Sequence, residues 1–560
     1  MSMALPWRPA LATLVLWLVL IQPNHPEAMT WGALRLFPLE LPAVLAALVL
    51  AGPGRAGRVL RAALLAWMMA MVVLKLADLG TYIAYNRGFN LLVDMHLLSA
   101  GWVLLQGSIG PALAWAALIV ALAALGGTAL ALWWAMRIWA YLWAGSDAPT
   151  ALWPRRIAAV TLLPFLAVAV AEIGQARRVW ALPPEMAQAI PGAALTARLG
   201  VEGVELFRDT RADLTAFRRA AAEDPMPDQG PFFDLLGGRD IVLIYVESYG
   251  RSSFDNPLYA PTHTGTLSRI EADLAGRGLA MRSTWATAPM TGGQSWLAHG
   301  SVASGLWLDT QGRYLSLLAS PRRTLFHFAQ EAGLRTTALM PAHVFDWPEG
   351  GFFGFDTIHN AADLGYRGAR FNWITMPDQF TLKALERLEL NRPERAPVFA
   401  QVALVSSHAP WTPVPERVDW DEIGDGTIFN QWALSGDAPE TFWHDHDRVR
   451  EQFRLALDYS LQVVGEWAAR HAENPPLIIA LGDHEPARFV AGIDGADVPL
   501  HVIGPPDLVA RFDGPRWREG MQPAPDAEPI RMDALRDLIL QALSSGPAGT
   551  ARLLPGAVPG

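Results

Sequence analysis

The chain has 560 residues, of which 51% are hydrophobic and only 18% charged, with no cysteine and a formal net charge of −10. An ordinary soluble chain carries about 25% charged residues, so part of this one is built for lipid. Zero cysteine excludes a disulfide scaffold, a zinc finger, an iron–sulfur site and a thiol nucleophile. The first 180 residues hold 12 Arg and Lys against 6 Asp and Glu, a net of +6, which leaves −16 for the remaining 380. A net-acidic second part with no basic tail argues against nucleic-acid binding, whose affinity comes largely from neutralising phosphates. The phosphate-loop pattern does not occur, and the single Gly-x-Gly-x-x-Gly string, Gly52–Gly57, lies between two apolar runs and not between a strand and a helix, so nucleotide binding has no support.

Apolar runs at about 8–22, 36–52, 59–80, 111–136 and 157–173 approach the roughly 20 residues that cross a bilayer as a helix, and predict five spans. No small-residue cleavage site follows the first run, so it reads as a retained span rather than a signal peptide. Arg8, then Arg55, Arg58 and Arg61, then Arg137, Arg155 and Arg156 occupy alternate loops and share one side. With five spans, everything after residue 175 lies on the opposite, extracytoplasmic side, from which Arg177 and Arg178 dissent. The apolar stretch 88–110 is interrupted by Asp94, His96 and glycines and reads as interfacial or re-entrant. Lys75 and Asp78, three apart, read as a snorkelling pair on one helix face. The expected order is a transmembrane domain at 1–175, a helical linker at 176–235, an α/β catalytic domain at 236–545 and a flexible tail at 546–560.

From about 236, short apolar runs bounded by turn residues alternate with helical segments, the pattern of a mostly parallel sheet covered on both faces. Four runs read as buried strands: Ile241–Val246, Thr336–Met340, Val398–Val405 and Leu477–Leu481. Chemistry follows each. The first leads into Glu247 and Ser248, the second into His343, the third into Ser406, Ser407 and His408, and the fourth into Asp483 and His484. Open α/β sheets bind ligands beyond the carboxyl ends of their strands, so these residues converge. Glu247, Asp483 and His484 form a ligand set for one divalent cation, with zinc, manganese and magnesium all compatible.

With no thiol, the nucleophile is a hydroxyl. The densest hydroxyl cluster is Thr287-Ala-Pro-Met-Thr291-Gly-Gly-Gln-Ser295-Trp-Leu-Ala-His299-Gly-Ser301, where paired glycines allow a tight turn into a helix N-terminus. A plain helix cap is the competing reading for such a serine or threonine. Trp443-His-Asp-His-Asp447 is metal-like in composition, but consecutive residues point in different directions and it reads as a polar loop.

The ordered set VLIYVESYGRS, TGGQSWLAHGSVASG, FNWITMPDQF, LVSSHAPW and ALGDHEP, after a multi-span anchor, resembles the membrane-anchored sulfatase-like branch of the alkaline phosphatase superfamily. Within it the resemblance is to lipoteichoic acid synthases and to phosphoethanolamine and phosphoglycerol transferases, over about 238–545. It implies an alkaline phosphatase/sulfatase-like α/β domain with one divalent metal ion held by Glu247, Asp483, His484 and the nucleophile. It also implies that His408 contacts the substrate phosphate and that His343 and Trp347 line the headgroup pocket. The sulfatase spacing from nucleophile to a Thr-Gly pair selects Ser295, ten residues before Gly305, whereas Thr291 matches the transferases' residue type four residues early. Both stay open as the catalytic hydroxyl and, with it, as the fourth metal-site oxygen. Leu297 and His299 stand where the sulfatase motif has Pro and Arg, so the signal for formylglycine is missing and an unmodified hydroxyl attacking phosphorus is implied. His408 or His299 is placed to protonate the leaving alkoxide.

The expectation is a bacterial inner-membrane, multi-pass enzyme with a periplasmic catalytic domain. It moves a phospholipid-derived headgroup onto a glycan or lipid acceptor of the envelope through a covalent Ser or Thr intermediate. A sulfate-ester or phosphodiester hydrolase using water, and a non-catalytic envelope-binding protein, are the alternatives.

Overall fold

A computed structural model describes residues 7–85, 87–142, 152–181, 183, 186, 192–435 and 443–546. The chain divides into two compact units, 1–213 and 214–560. The expected tail at 546–560 lies, but for its first residue, outside the described residues.

The first unit is helical: α1 (Trp7–Ile21), α2 (Glu40–Ala51), α3 (Arg55–Tyr85), α4 (His96–Ile109), α5 (Pro111–Tyr141), α6 (Leu152–Ala176) and the start of α7 (Leu195–Ala222). Helices stand at all five expected spans, yet among the described residues only three, Arg55–Ile83, Pro111–Tyr141 and Trp153–Ala176, are long and apolar enough to cross a membrane. This corrects the expectation of five. At 15 and 12 residues, α1 and α2 reach only about 22 and 18 Å against a hydrocarbon core of about 30 Å. Pro23 follows the end of α1, Pro38 keeps the first residues of the second run out of α2, and Gly52, at φ +60°, ends it before Pro53. Both short helices pack on the long ones, with Leu16, Leu20, Leu41 and Leu48 buried against Met68, Leu132 and Met136.

The arginines at helix ends do gather. Arg61 donates to the Gly52 carbonyl at 3.0 Å, and its guanidinium and that of Arg137 both lie against the Tyr141 ring, at 5.6 and 5.4 Å. Lys75 and Asp78 do not pair. Lys75 Nζ instead caps the last carbonyls of α1, at Val19 and Leu20, and bonds Thr196 Oγ1 at 2.7 Å, while Asp78 accepts from Asn24 Nδ2 and the Phe89 amide. Within 88–110 the structure has the 14-residue α4.

The second unit is a nine-stranded mixed sheet in the order β4-β3-β5-β1-β6-β7-β2-β8, with β9 on β2. The strands are β1 (Ile241–Val246), β2 (Ala280–Thr287), β3 (Arg335–Met340), β4 (Thr357–Asn360), β5 (Val398–Ala403), β6 (Leu477–Gly482), β7 (Asp497–Gly504), β8 (Arg518–Glu519) and β9 (Ile530–Arg531). β4, β3, β5, β1 and β6 run parallel, whereas β7 is antiparallel to both β6 and β2. Alternation sorts the side chains into two cores. Val242, Ile244, Val246, Ile478 and Ala480 face α8 (Ala260–Gly276) and α11 (His446–Arg470), and Ile241, Leu243, Tyr245, Leu477, Ile479 and Leu481 face α9 (Ser295–Ser304) and α12 (Leu535–Leu543). A further helix, α10 (Asp378–Leu385), packs in the first of these cores.

His501 of β7 ties β2 to the loop after β1, its ring nitrogens 3.0 Å from Tyr249 Oη and 2.7 Å from Ser283 Oγ. Complete burial pushes it down to about 3. The unfolded chain takes up this proton below about pH 6.5 and the folded one does not, so the stability His501 contributes is present above pH 6.5 and is lost as pH falls toward 3. Relative to His501→Gln, wild type is expected to lose about 2 kcal/mol between pH 7 and 5. Urea midpoints of the two proteins at both pH values test this, and a constant difference would refute it.

Candidate functional site

Register alone brings the acidic residues together. β1 and β6 are neighbouring parallel strands with Val246 opposite Gly482, so the next residues, Glu247 and Asp483, leave side by side. Both continue the odd-numbered face that packs on α9. Gly482 is required there, because a Cβ would stand 1.8 Å from the Tyr249 carbonyl oxygen.

Glu247, Asp483 and His484 are buried and offer ligand atoms within 4.8 Å of one another. The Ser248 and His484 amides each donate to Asp483 Oδ1 at 2.8 Å, and Ser248 Oγ donates to Glu247 Oε1 at 2.9 Å. His484 Nδ1 donates to the Glu485 carbonyl at 2.8 Å, which leaves Nε2 directed at the cluster, 3.4 Å from Glu247 Oε1 and 3.6 Å from Asp483 Oδ2, and against the effect of burial these two carboxylates push His484 up. A backbone bond from the far ring nitrogen fixes the ligating tautomer in this way. Among the described residues no Arg or Lys pairs with either carboxylate. Two buried carboxylates and an imidazole nitrogen facing one another, with no Arg or Lys paired to them among the described residues, are a donor set that fits a divalent metal.

The same crowding shows in the ionisation. Burial and the Glu247 charge push Asp483 up to about 6. Burial opposes the charge on Glu247 too, yet the His408 and His484 imidazoles hold it below the usual carboxylate range.

Ser295 completes the cluster. Its Oγ lies 3.3 Å from Glu247 Oε2 and 3.2 Å from His484 Nε2. The chain turns from β2 into α9 through three residues of positive φ, Gly292 (+74°), Gly293 (+137°) and Gln294 (+64°). A glutamine costs energy in that region, and here it serves as the N-cap, which makes Ser295 the first helical residue and leaves its hydroxyl free of capping. Thr291 is exposed. Its backbone bridges to Glu485, and no hydrogen bond links its side chain to the cluster.

His299 lies one turn below Ser295, tilted against the Tyr245 ring with centroids 3.9 Å apart and with Nε2 buried and unpartnered. Burial pushes it down to about 4, so it is a neutral ring at pH 7 and a poor proton donor to a leaving group. His408 is exposed, with Nδ1 2.6 Å from the Ala409 carbonyl. His343 is edge-on to Trp347 at 5.3 Å, and Trp347 packs on Phe353 and Phe355. The Trp443–Asp447 segment is a helix start, with Asp445 accepting from the Asp447 and Arg448 amides as the N-cap of α11.

Sequence reasoning misses the residues that hold this frame. Ser407 Oγ donates to the Glu247 carbonyl at 2.6 Å. Asp378, fully buried at the start of α10, accepts from the Val405 and Ser406 amides at 2.7 and 2.9 Å and from Ser460 Oγ at 2.6 Å, which fixes the loop that carries Ser407 and His408. Glu485 accepts from the Ser252 amide and hydroxyl, and burial pushes it up to about 7. Glu485 lies in the GDHEP string next to Asp483 and His484, so adjacency to the ligands is the signal that finds it, whereas Asp378, in the PDQF string, has no ligand beside it.

A doubly covered, mostly parallel sheet with a metal-type cluster at its strand ends and a helix-borne hydroxyl facing it marks an enzyme of sulfatase-like type. Residues 239–494 match the family model described as sulfatase, and this part of the chain is a sulfatase-family domain. No curated protein matches the chain. Solved structures to which it is similar include the soluble domain of lipooligosaccharide phosphoethanolamine transferase A from Neisseria meningitidis, at 12% identity over 57% of this chain and 90% of that one, with a TM-score of 0.37. The phosphoglycerol transferase GacH of Streptococcus pyogenes, solved with sn-glycerol-1-phosphate, aligns at 11% identity over 60% and 80%, with a TM-score of 0.36. The phosphonate monoester hydrolase of Agrobacterium radiobacter aligns at 14% over 55% and 73%, with a TM-score of 0.34. These superpositions are partial, and the family assignment rests on the sequence match.

Proposed function

We propose that this enzyme transfers a phospholipid-derived headgroup, of phosphoethanolamine or phosphoglycerol type, to a glycan or lipid acceptor of the bacterial envelope, with Ser295 as the nucleophile. The observation that carries the reading is Ser295 Oγ, uncapped at the start of α9 and within 3.3 Å of both Glu247 and His484. The membrane-length helices support a lipid donor, because they tether the chain to the bilayer that contains it. In this reading they anchor the protein in the inner membrane with the second unit in the periplasm.

Glu247, Asp483, His484 and the Ser295 oxygen would hold one divalent cation, manganese, magnesium or zinc. When bound, it supplies positive charge that lowers the pKa of the Ser295 hydroxyl and offsets the charge on the phosphoryl oxygens. Ser295 gives up its hydroxyl proton to solvent and Oγ attacks phosphorus. The bond to the diacylglycerol oxygen breaks, and a headgroup phosphodiester forms on the serine, which takes a proton back from solvent when the acceptor frees it. The amides at the start of α9 face the phosphoryl oxygens, where the helix dipole favours an anion. His408 gives a proton to the departing alkoxide and then accepts one from the acceptor hydroxyl, whose attack on phosphorus frees Ser295.

A general acid matters most for a poor leaving group. His408→Ala is therefore expected to slow turnover of the lipid donor about 100-fold and to leave cleavage of an aryl phosphodiester, whose phenolate departs unaided, nearly unchanged. Equal losses on both substrates would remove His408 from that role. The reading as a whole is tested by peptide mass spectrometry of detergent-purified protein incubated with phospholipids and a divalent metal. The expected adduct lies on Ser295, with the mass of the transferred headgroup, and is absent from Ser295→Ala. Hydrolysis of an aryl phosphodiester without any adduct would favour water as acceptor.

A further inference from the structure

Most large apolar side chains of the second unit are buried in the two cores, which makes the exceptions informative. Phe345 is 83% exposed and Trp373 70% exposed, with Val344 also open. Both lie on loops at the site end of the sheet. Phe345 is two residues past His343 in the loop that leaves β3. Trp373 sits in a turn closed by mutual backbone bonds between Phe371 and Ile374 at 2.9 and 3.1 Å.

That turn is pinned on both flanks. Thr375 Oγ1 donates to the Pro341 carbonyl at 2.6 Å, on the loop after β3, and Asn372 Nδ2 donates to the Thr412 carbonyl, on the loop after β5 that carries His408. Asn372 is held at φ +58°, a conformation that costs energy for any residue but glycine. Phe371 and Ile374 are buried, so the turn is anchored from below while it holds the indole out into solvent. Arg370, beside it, is exposed and makes no ion pair among the described residues, although acidic residues outnumber basic ones in this part of the chain. An exposed indole on a pinned turn, a second exposed ring and an unpaired guanidinium are the elements of an interfacial anchor: rings at the headgroup and acyl boundary, and a cation on lipid phosphate.

We propose that the mouth of the catalytic site docks on the lipid–water interface through Phe345 and Trp373, with Arg370 on a lipid phosphate. The occupant is a bilayer surface, because the same chain carries three membrane-length helices and the second unit is never far from lipid. Docking explains how a phosphodiester at headgroup depth reaches Ser295 without leaving the bilayer. It rests on the lipid-donor reading for its purpose, but its readout does not depend on any turnover.

The absence of cysteine makes the test direct. Single cysteines at Phe345→Cys, Trp373→Cys and, as the aqueous reference, Glu473→Cys, exposed just before β6 at the amino ends of the parallel strands, are spin-labelled in the full chain. The proteins are reconstituted in vesicles of phosphatidylethanolamine and phosphatidylglycerol, and collision rates with oxygen and with a water-soluble nickel chelate are compared. The expected oxygen-to-nickel ratio at 345 and 373 is several-fold above that at 473, and it persists when Ser295→Ala is added, which separates docking from catalysis. A ratio at either position equal to that at 473 overturns the proposal. All three sites are exposed and outside the cores, and thermal unfolding of each labelled protein at the wild-type temperature verifies its fold.

Discussion

Replacing Ser295 with alanine is expected to lower turnover by about 1,000-fold or more, as removal of a nucleophile does elsewhere, without lowering the unfolding temperature. The side chain is half-buried at the first position of α9, where Gln294 is the cap, so alanine removes no helix-starting hydrogen bond. What alanine does remove is the oxygen facing Glu247 Oε2 and His484 Nε2. Thr291→Ala is expected to change turnover little, because the exposed Thr291 hydroxyl touches neither group. Steady-state kinetics of both variants on one phosphodiester decide the matter. A larger loss for Thr291→Ala than for Ser295→Ala would reverse the assignment and imply a rearranged 291–294 turn in the working enzyme.

That choice between two hydroxyls is where the sequence stops being readable. Spacing from a family motif favours one and residue type the other. The outcome in the structure depends on the left-handed backbone of Gln294, which no propensity foretells. The strands that carry the metal-type cluster are legible because parallel strands buried on both faces read as unbroken apolar runs, as Ile241–Val246 and Leu477–Leu481 do. β2 and β7 are not legible. β2 mixes Arg282, Ser283 and Thr284 with apolar residues, and β7 contains Pro499 and His501, whose polar groups are satisfied only across strands distant in sequence. Asp378 is invisible as a scaffold for the same reason, since its partners lie at 405, 406 and 460. The five apolar runs do form helices, but hydropathy counts residues while Pro23, Pro38 and Gly52 set where a helix starts and ends.

Removing the divalent metal from the purified protein is expected to abolish turnover and to lower the unfolding temperature by several degrees. A ligand held at 1,000 times its dissociation constant contributes about 4 kcal/mol to the folded state. The sign of a companion result is what makes the test specific. Without a cation, Glu247 and Asp483 are two buried like charges, and that repulsion together with burial is what pushes Asp483 up to about 6. Asp483→Asn keeps an oxygen to accept the Ser248 and His484 amides and presents an N–H toward Glu247, so repulsion gives way to attraction. The variant is therefore expected to lose bound metal and activity, yet in chelator to unfold no lower than chelated wild type. Elemental analysis and thermal unfolding with and without chelator read both effects. If chelated Asp483→Asn melts several degrees below chelated wild type, the carboxylate pair is part of the framework, and the argument from two buried like charges to a cation fails.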